Sequence, residues 1–163
     1  MQLFPNFSET LVSSLSKEEI LHRLEKVTKN VNYLDIETQK EDDYKFNGVI
    51  QENGFSISLI IKKADSFLPL IKGRIESTKT GIILFLDYTL FPGSVFFLAF
   101  WSVICLALSG LFSSLIPKPE LATAIFLIGA FNYWFAWAHF KRKVRISQNL
   151  FYELLNESSD PSK

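Results

Sequence analysis

The sequence predicts an α+β membrane protein with an N-terminal amphipathic helix, an antiparallel β-meander of four to five strands, a transmembrane helical hairpin and a C-terminal amphipathic helix. Three observations predict this class. Two long stretches carry no charged residue, the region before them alternates with a period of two, and the flanking segments follow a helical period. A chain of 163 residues suits one small domain joined to a membrane anchor.

Composition excludes several classes of protein. The 17 basic residues balance 17 acidic ones, and this zero net charge argues against a protein that coats nucleic acid. Cys105 is the single cysteine, so the sequence excludes an internal disulfide framework and a cysteine-based zinc or iron–sulfur site. We therefore expect no nucleic-acid partner, no metal site and no cofactor.

The two uncharged stretches run from Tyr88 to Pro117 and from Leu121 to Ala138. The hydrocarbon core of a bilayer, about 30 Å thick, needs roughly 20 apolar helical residues. We therefore predict a transmembrane hairpin within residues 91–140, with spans over about 94–116 and 121–139. The alternative, a buried hairpin in a soluble protein, is disfavoured because so small a domain is mostly surface.

Basic residues set the predicted orientation. Lys141, Arg142, Lys143 and Arg145 follow the second span, whereas the link between the spans carries only Lys118. The positive-inside rule then places both termini in the cytoplasm and the link outside. The expected location is the inner (plasma) membrane, with the lipid bilayer as the first partner.

Within the spans, small residues four apart, Ser109/Ser113 and Gly110/Ser114, predict close approach of the helices. Asn132 is predicted to hydrogen-bond across the hairpin or to a second copy of the chain. Neither span has an ionisable residue at its centre, which argues against a pump or transporter.

Residues 16–90 are predicted to form the cytoplasmic domain, and residues 1–15 show little pattern. Ser16 and Glu19 form a capping box. The helix of about four turns that follows has one apolar face, formed by Ile20, Leu21, Leu24, Val27 and Val31. The period then changes to two, which predicts strands over Tyr33–Thr38, Tyr44–Gln51, Phe55–Lys62, Leu70–Ser77 and Ile82–Leu90.

Two further local patterns complete the predicted fold. Asn53-Gly54 predicts a tight hairpin, since both residues accept positive φ. Residues 141–156 are predicted to form a cytoplasmic helix that packs on the sheet, through a stripe formed by Phe140, Val144, Gln148, Phe151 and Leu155. Residues 157–163 form a polar tail that we expect to be mobile.

The segment from Ala64 to Ile75 resembles a motif of an uncharacterised family of small bacterial two-helix membrane proteins. That family carries Arg-Asn-Ser-Phe-x-Pro-x-x-x-Gly-x-Ile between two strands, followed by a Gly turn, a strand and two membrane helices. The corresponding positions here include Asp65, Ser66, Phe67, Pro69 and Gly73, and the looser pattern extends from about Tyr44 to Leu155. Ala64 and Asp65 replace the family's Arg and Asn. The resemblance implies architecture and brings no activity.

The residues of this motif also have a structural interpretation. Pro69 cannot continue a strand ladder, and Gly73 marks a bulge or a close approach by a backbone or ring. Asp65 or Ser66 is expected to bond nearby amides, and Phe67 to fill the apolar face of the sheet. We therefore interpret the motif as structural, and a binding site stays the alternative.

Candidate contacts with a partner or with lipid headgroups lie at the predicted membrane boundary. They are Asp87, His139, Lys141, Arg142, Lys143 and Arg145. A carboxylate there is costly unless it is paired, so Asp87 is predicted to form an ion pair with the cations after the second span. The acidic cluster between residues 35 and 43 lacks the glycine and closing glutamate of a calcium loop and is interpreted as solvated.

No catalytic motif is visible in the sequence. The sequence therefore favours a non-enzymatic, membrane-anchored module with an interaction or accessory role. Its expected partner is a membrane protein, a cytoplasmic protein or a second copy of the chain. The alternative is a membrane-interface enzyme or lipid-binding protein that acts on a lipid, using groups such as Asp87, Tyr88 and His139.

Overall fold

Six strands and three helices make up the described part of the chain. The computed structural model describes residues 3–30, 44–60, 65–79, 81–116 and 118–156. In order, the elements are β1 (Asn6–Ser13), α1 (Lys17–Val27), β2 (Thr28–Asn30), β3 (Phe46–Gln51), β4 (Gly54–Leu59), β5 (Pro69–Thr78), β6 (Gly81–Leu90), α2 (Pro92–Ser114) and α3 (Pro119–Asn156). The predicted strand Tyr33–Thr38, the acidic cluster and the polar tail lie outside the described residues.

The strands form one sheet in the order β1-β6-β5-β4-β3-β2. The antiparallel meander β3–β6 is confirmed, but the predicted count of four to five strands is wrong for the sheet as a whole. Strand β1 adds antiparallel to β6 at one edge, within the segment where the sequence predicted no element. No residue of β1 is fully buried, so the alternation of apolar and polar residues in its sequence is weak.

The other additional strand, β2, shortens the predicted helix. Ser16 caps α1 as expected, since its Oγ accepts a hydrogen bond from the Glu19 amide at 3.2 Å. The helix ends at Val27 rather than near Val31, because Thr28 is extended and pairs in parallel with Phe46 of β3. The Lys45 amide donates to the Val27 carbonyl at 2.9 Å, which fixes this change of direction.

The hairpin between β3 and β4 is confirmed, although its turn differs from the one predicted. Gln51 pairs with Gly54, so Glu52 and Asn53 form the loop. Positive φ occurs among the described residues only at Gly48 and Gly81, and not in this turn. Gly54 is required for space, because a Cβ there would overlap the Gly73 carbonyl oxygen of the neighbouring strand.

One face of the sheet is covered by α1 and by the C-terminal half of α3. Phe151 lies over the sheet with its ring centroid 5.4 Å from that of Phe46 and 5.6 Å from that of Phe55. Phe140 and Val144 are buried in the same core. The predicted packing of residues 141–156 on the sheet is thus confirmed, and the opposite face of the sheet carries no helix among the described elements.

Helices α2 and α3 are both long and apolar enough to cross a membrane. In the most apolar 18 residues of each, only 6% and 11% of residues are buried. They pack closely where Gly129 meets Cys105 and where Ser109 Oγ donates to the Ala122 carbonyl at 3.0 Å. The close approach of the helices predicted at Gly110 is wrong, since a Cβ added there would meet no atom within 4 Å.

Candidate functional site

A charged cluster joins the loop before β5 to the middle of α3. The Asp65 Oδ2 atom lies 2.9 Å from His139 Nε2 and 3.2 Å from Lys143 Nζ. His139 and Lys143 are four residues apart and therefore share one face of the helix. All three side chains are largely buried, with exposed fractions of 13%, 19% and 21%. The cluster ties the sheet domain to α3 at the end of its apolar half.

The other Asp65 oxygen organises the loop itself. Oδ1 accepts a hydrogen bond from the Phe67 amide at 3.0 Å, the Asx turn expected of aspartate before a tight bend. Burial alone would raise the pKa of Asp65, but hydrogen bonds from His139, the Phe67 amide and Lys143 outweigh it and hold this pKa below its ordinary value. An ionised carboxylate only accepts, so His139 Nε2 carries the proton of their bond.

Phe67 packs beside this cluster. Its ring centroid lies 6.3 Å from that of Phe135 and 6.4 Å from that of His139, both on α3. Pro69 opens β5 where it pairs with Leu90, and the Phe55 ring occupies the space above Gly73, where a Cβ would overlap it. Ser66 is exposed in the turn. The motif loop therefore docks on α3 through Asp65 and Phe67.

The structure separates the boundary residues that the sequence grouped together. Lys143 and His139 meet Asp65, whereas Lys141 Nζ lies 5.5 Å from the centroid of the Trp137 ring. Arg142 and Arg145 are exposed on the helix surface. Within this group the paired residues are thus His139 and Lys143, and their anion is Asp65 rather than Asp87.

The ion pair predicted for Asp87 is wrong. Asp87 accepts a hydrogen bond from Ser8 Oγ at 2.6 Å and forms no ion pair with Lys141, Arg142 or Arg145. Its neighbours Leu86 and Tyr88 are buried against the helices, so the alternation of β6 turns Asp87 to the opposite face of the sheet.

A second polar cluster was missed by the sequence analysis. The half-buried Glu9 of β1 accepts hydrogen bonds from Tyr88 at 2.7 Å, Gln148 at 2.7 Å and Tyr152 at 3.0 Å. Burial is the main reason that the pKa of Tyr88 is raised, and the hydrogen bond to Glu9 raises it further. For Tyr152, the hydrogen bond to Glu9 is the main reason that the pKa is raised, and burial adds to it. Both tyrosines are therefore neutral donors near pH 7. The only sequence signal was Gln148, which interrupts the apolar stripe of α3.

An apolar groove lies between α2 and α3, beneath the N-terminal segment. It encloses about 420 Å³ and is lined by residues that include Leu3, Phe4, Val103, Phe126 and Tyr133. The Tyr133 hydroxyl donates to the Leu3 carbonyl, and Ser102 Oγ donates to the Leu98 carbonyl at 2.7 Å. With these hydroxyls engaged, the groove suits an apolar chain better than a polar ligand.

The function of this site is indicated neither by a metal-binding group among the described residues nor by similarity to a known protein. Among the described residues, no group of three or more His, Cys, Asp or Glu side chains could hold a metal ion. Comparisons of the chain with protein families, with curated proteins and with solved structures give no match. The resemblance over Ala64–Ile75 therefore stays a prediction, and the function is argued from geometry alone.

Proposed function

We propose that the protein is a membrane-anchored interaction module of the inner membrane. In this proposal α2 and the N-terminal half of α3 span the bilayer, both termini and the sheet are cytoplasmic, and the chain acts without catalysis. The observation that carries it is the exposure of the two apolar helices. A core helix of a soluble protein would be mostly buried, whereas the most apolar parts of these helices are 6% and 11% buried.

The charge distribution supports the proposed orientation. The four cations at 141–145 follow the apolar half of α3, and Asp65 neutralises only part of this charge through Lys143. Exposed Arg142 and Arg145 are left at the level expected for lipid headgroups. The same residues account for positive-inside topology without a dedicated lipid site.

The surface offered to a partner is the uncovered side of the sheet, which we call the open face. It comprises Val12, Val49, Lys72, Arg74, Phe85 and Asp87. Val12 and Val49 are exposed, and the Arg74 guanidinium stacks 4.9 Å from the centroid of the Phe85 ring. Apolar side chains beside charges of both signs suit a protein partner better than nucleic acid.

Site-specific crosslinking in native membranes tests this surface. A photoreactive residue replaces Phe85 on the open face or, as the control, Glu25 on the exposed side of α1. We expect one defined protein adduct from position 85 that is absent from position 25 and lost when Arg74→Glu is added. Equal adducts from both positions, or none at position 85, would contradict a partner at the open face.

The groove between α2 and α3 favours lipid binding as a second candidate function. Its volume of about 420 Å³ falls within the range of small-molecule sites, about 300–1,000 Å³. Ala130→Trp would fill the groove, whereas Leu127→Trp changes an exposed position of the same helix. Mass spectrometry of the protein released from nanodiscs should then show a retained lipid in the wild type and Leu127→Trp but not in Ala130→Trp. Equal retention in all three would rule out this groove as the site.

A further inference from the structure

Asn132 places an amide side chain in the apolar part of α3. The side chain is half-buried and forms no hydrogen bond in the part of the chain that the structure describes. It lies seven residues before His139, which corresponds to about 10 Å along the helix. On the proposed topology, Asn132 therefore faces hydrocarbon at a depth where water is scarce.

An unpaired amide in hydrocarbon is costly, so the membrane favours any arrangement that satisfies it. Near this depth, two hydroxyl groups of the hairpin already donate their protons to other acceptors. Ser102 of α2, about level with Asn132, already donates to the Leu98 carbonyl, and Tyr133 donates to the Leu3 carbonyl. Neither hydroxyl can therefore donate to the Asn132 carbonyl oxygen, and a second amide would supply both the donor and the acceptor that Asn132 needs.

We propose that Asn132 pairs with Asn132 of a second copy, forming a parallel dimer within the membrane. This inference rests on the proposed insertion of α2 and α3. All copies share one orientation in the bilayer, so a twofold axis along the membrane normal brings the two side chains together at equal depth. An amide both donates and accepts, and so is complementary to itself.

The surroundings of Asn132 suit such an interface. Ile128, Phe131 and Phe135 flank it along the helix and are 64%, 62% and 44% exposed. These side chains can pack around a central hydrogen-bonded pair, the usual arrangement of polar residues that hold membrane helices together. Gly129, three residues before Asn132, contacts α2 at Cys105, so Asn132 lies beside the contact between the two helices, with these exposed side chains on its other flank.

Energy transfer between labelled copies tests the dimer. Full-length chains carrying donor or acceptor fluorescent fusions are reconstituted in liposomes over a range of protein-to-lipid ratios. We expect transfer in the wild type, association weakened about tenfold in Asn132→Leu, and partial recovery in Asn132→Gln, which keeps the amide. Ser113→Leu, which removes an exposed hydroxyl of α2, is the matched control and should associate as the wild type does.

Oxidative crosslinking supplies an independent readout of the face. In a Cys105→Ala background, Ile128→Cys should form a disulfide-linked dimer, whereas Val103→Cys, which lines the groove, should not. Equal transfer in the wild type and Asn132→Leu, or no transfer in the wild type, would overturn the dimer. Alkaline extraction of the same liposomes separates the two proposals, because loss of the wild type to the wash contradicts membrane insertion itself.

Discussion

Asp65 has two separable roles at the residue scale, since one oxygen organises the loop and the other binds α3. Asp65→Asn keeps an acceptor for the Phe67 amide and loses the anion, whereas Asp65→Ala loses both. Hydrogen bonds to charged groups contribute about 1.5–3 kcal/mol where they are shielded from water. We expect a lower melting temperature in detergent for Asp65→Asn and a lower one still for Asp65→Ala. Equal melting of all three proteins would contradict a stabilising cluster.

The same carboxylate predicts a pH dependence. The folded pKa of Asp65 is lowered, so its stabilisation is fully present above the unfolded value, about 4. The stabilisation is lost as the pH falls through the lower folded pKa. The difference in melting temperature between wild type and Asp65→Asn should therefore shrink as the pH falls below about 4. A difference that grows in acid would show that the sign is wrong.

Glu9 supplies a second prediction at this scale. Glu9→Ala leaves the buried Tyr88 hydroxyl without its acceptor, which should destabilise the protein by about 1–3 kcal/mol. In Tyr88→Phe the hydroxyl is removed together with its need for a partner, and Gln148 and Tyr152 still bind Glu9. Thermal unfolding should thus rank wild type above Tyr88→Phe and Tyr88→Phe above Glu9→Ala. If Glu9→Ala were more stable than Tyr88→Phe, Glu9 would be excluded as the stabilising acceptor of the Tyr88 hydroxyl.

Sequence reasoning identified members of the charged cluster but could not join them. The motif singles out Asp65, and the end of a predicted span singles out His139. Their contact joins residues 74 positions apart, and no local pattern encodes such a separation. Asp87 was assigned by its closeness to the first span in sequence, although its alternation with Leu86 and Tyr88 already placed it on the opposite face of the sheet.

Elements with a strong local period were predictable, whereas those defined by pairing alone were not. Strand β6 alternates between buried and less buried positions along its length, and Ser16 marks the start of α1 through its own hydrogen bond. Strand β1 is recognisable only from its ladder with β6, and β2 only from the three residues that pair with β3. Both strands lie at the edges of the sheet, where fewer side chains are buried and the alternation of apolar and polar residues is therefore weaker.

Close packing of α2 and α3 gives a prediction at the scale of elements. A Cβ at Gly129 would lie 2.8 Å from Cys105 Cβ, so Gly129→Ala must push the helices apart. Gly110→Ala meets nothing within 4 Å and should be neutral or slightly stabilising, since alanine favours a helix by up to about 1 kcal/mol. Unfolding in detergent should then show a loss of stability for Gly129→Ala alone. Similar behaviour of the two variants would contradict the packing at Cys105.

At the scale of the whole molecule, α3 connects the two regions of the protein. It is one helix of 38 residues, about 57 Å long, whose first half is apolar and exposed while its second half packs on the sheet. Asp65 and Phe67 hold the sheet against it near the change between these halves. On the proposed topology, the sheet should therefore be fixed relative to the membrane, with its open face turned away from α3.

Labelling of single cysteines in intact cells tests the membrane anchor and its orientation together. In a Cys105→Ala background, Lys118→Cys lies in the link between the helices, and Glu76→Cys lies exposed on β5. A membrane-impermeant maleimide should label position 118 in intact cells and position 76 only after the cells are opened. Labelling of position 76 in intact cells, or equal labelling of both positions under the two conditions, would contradict a cytoplasmic sheet anchored by a membrane hairpin.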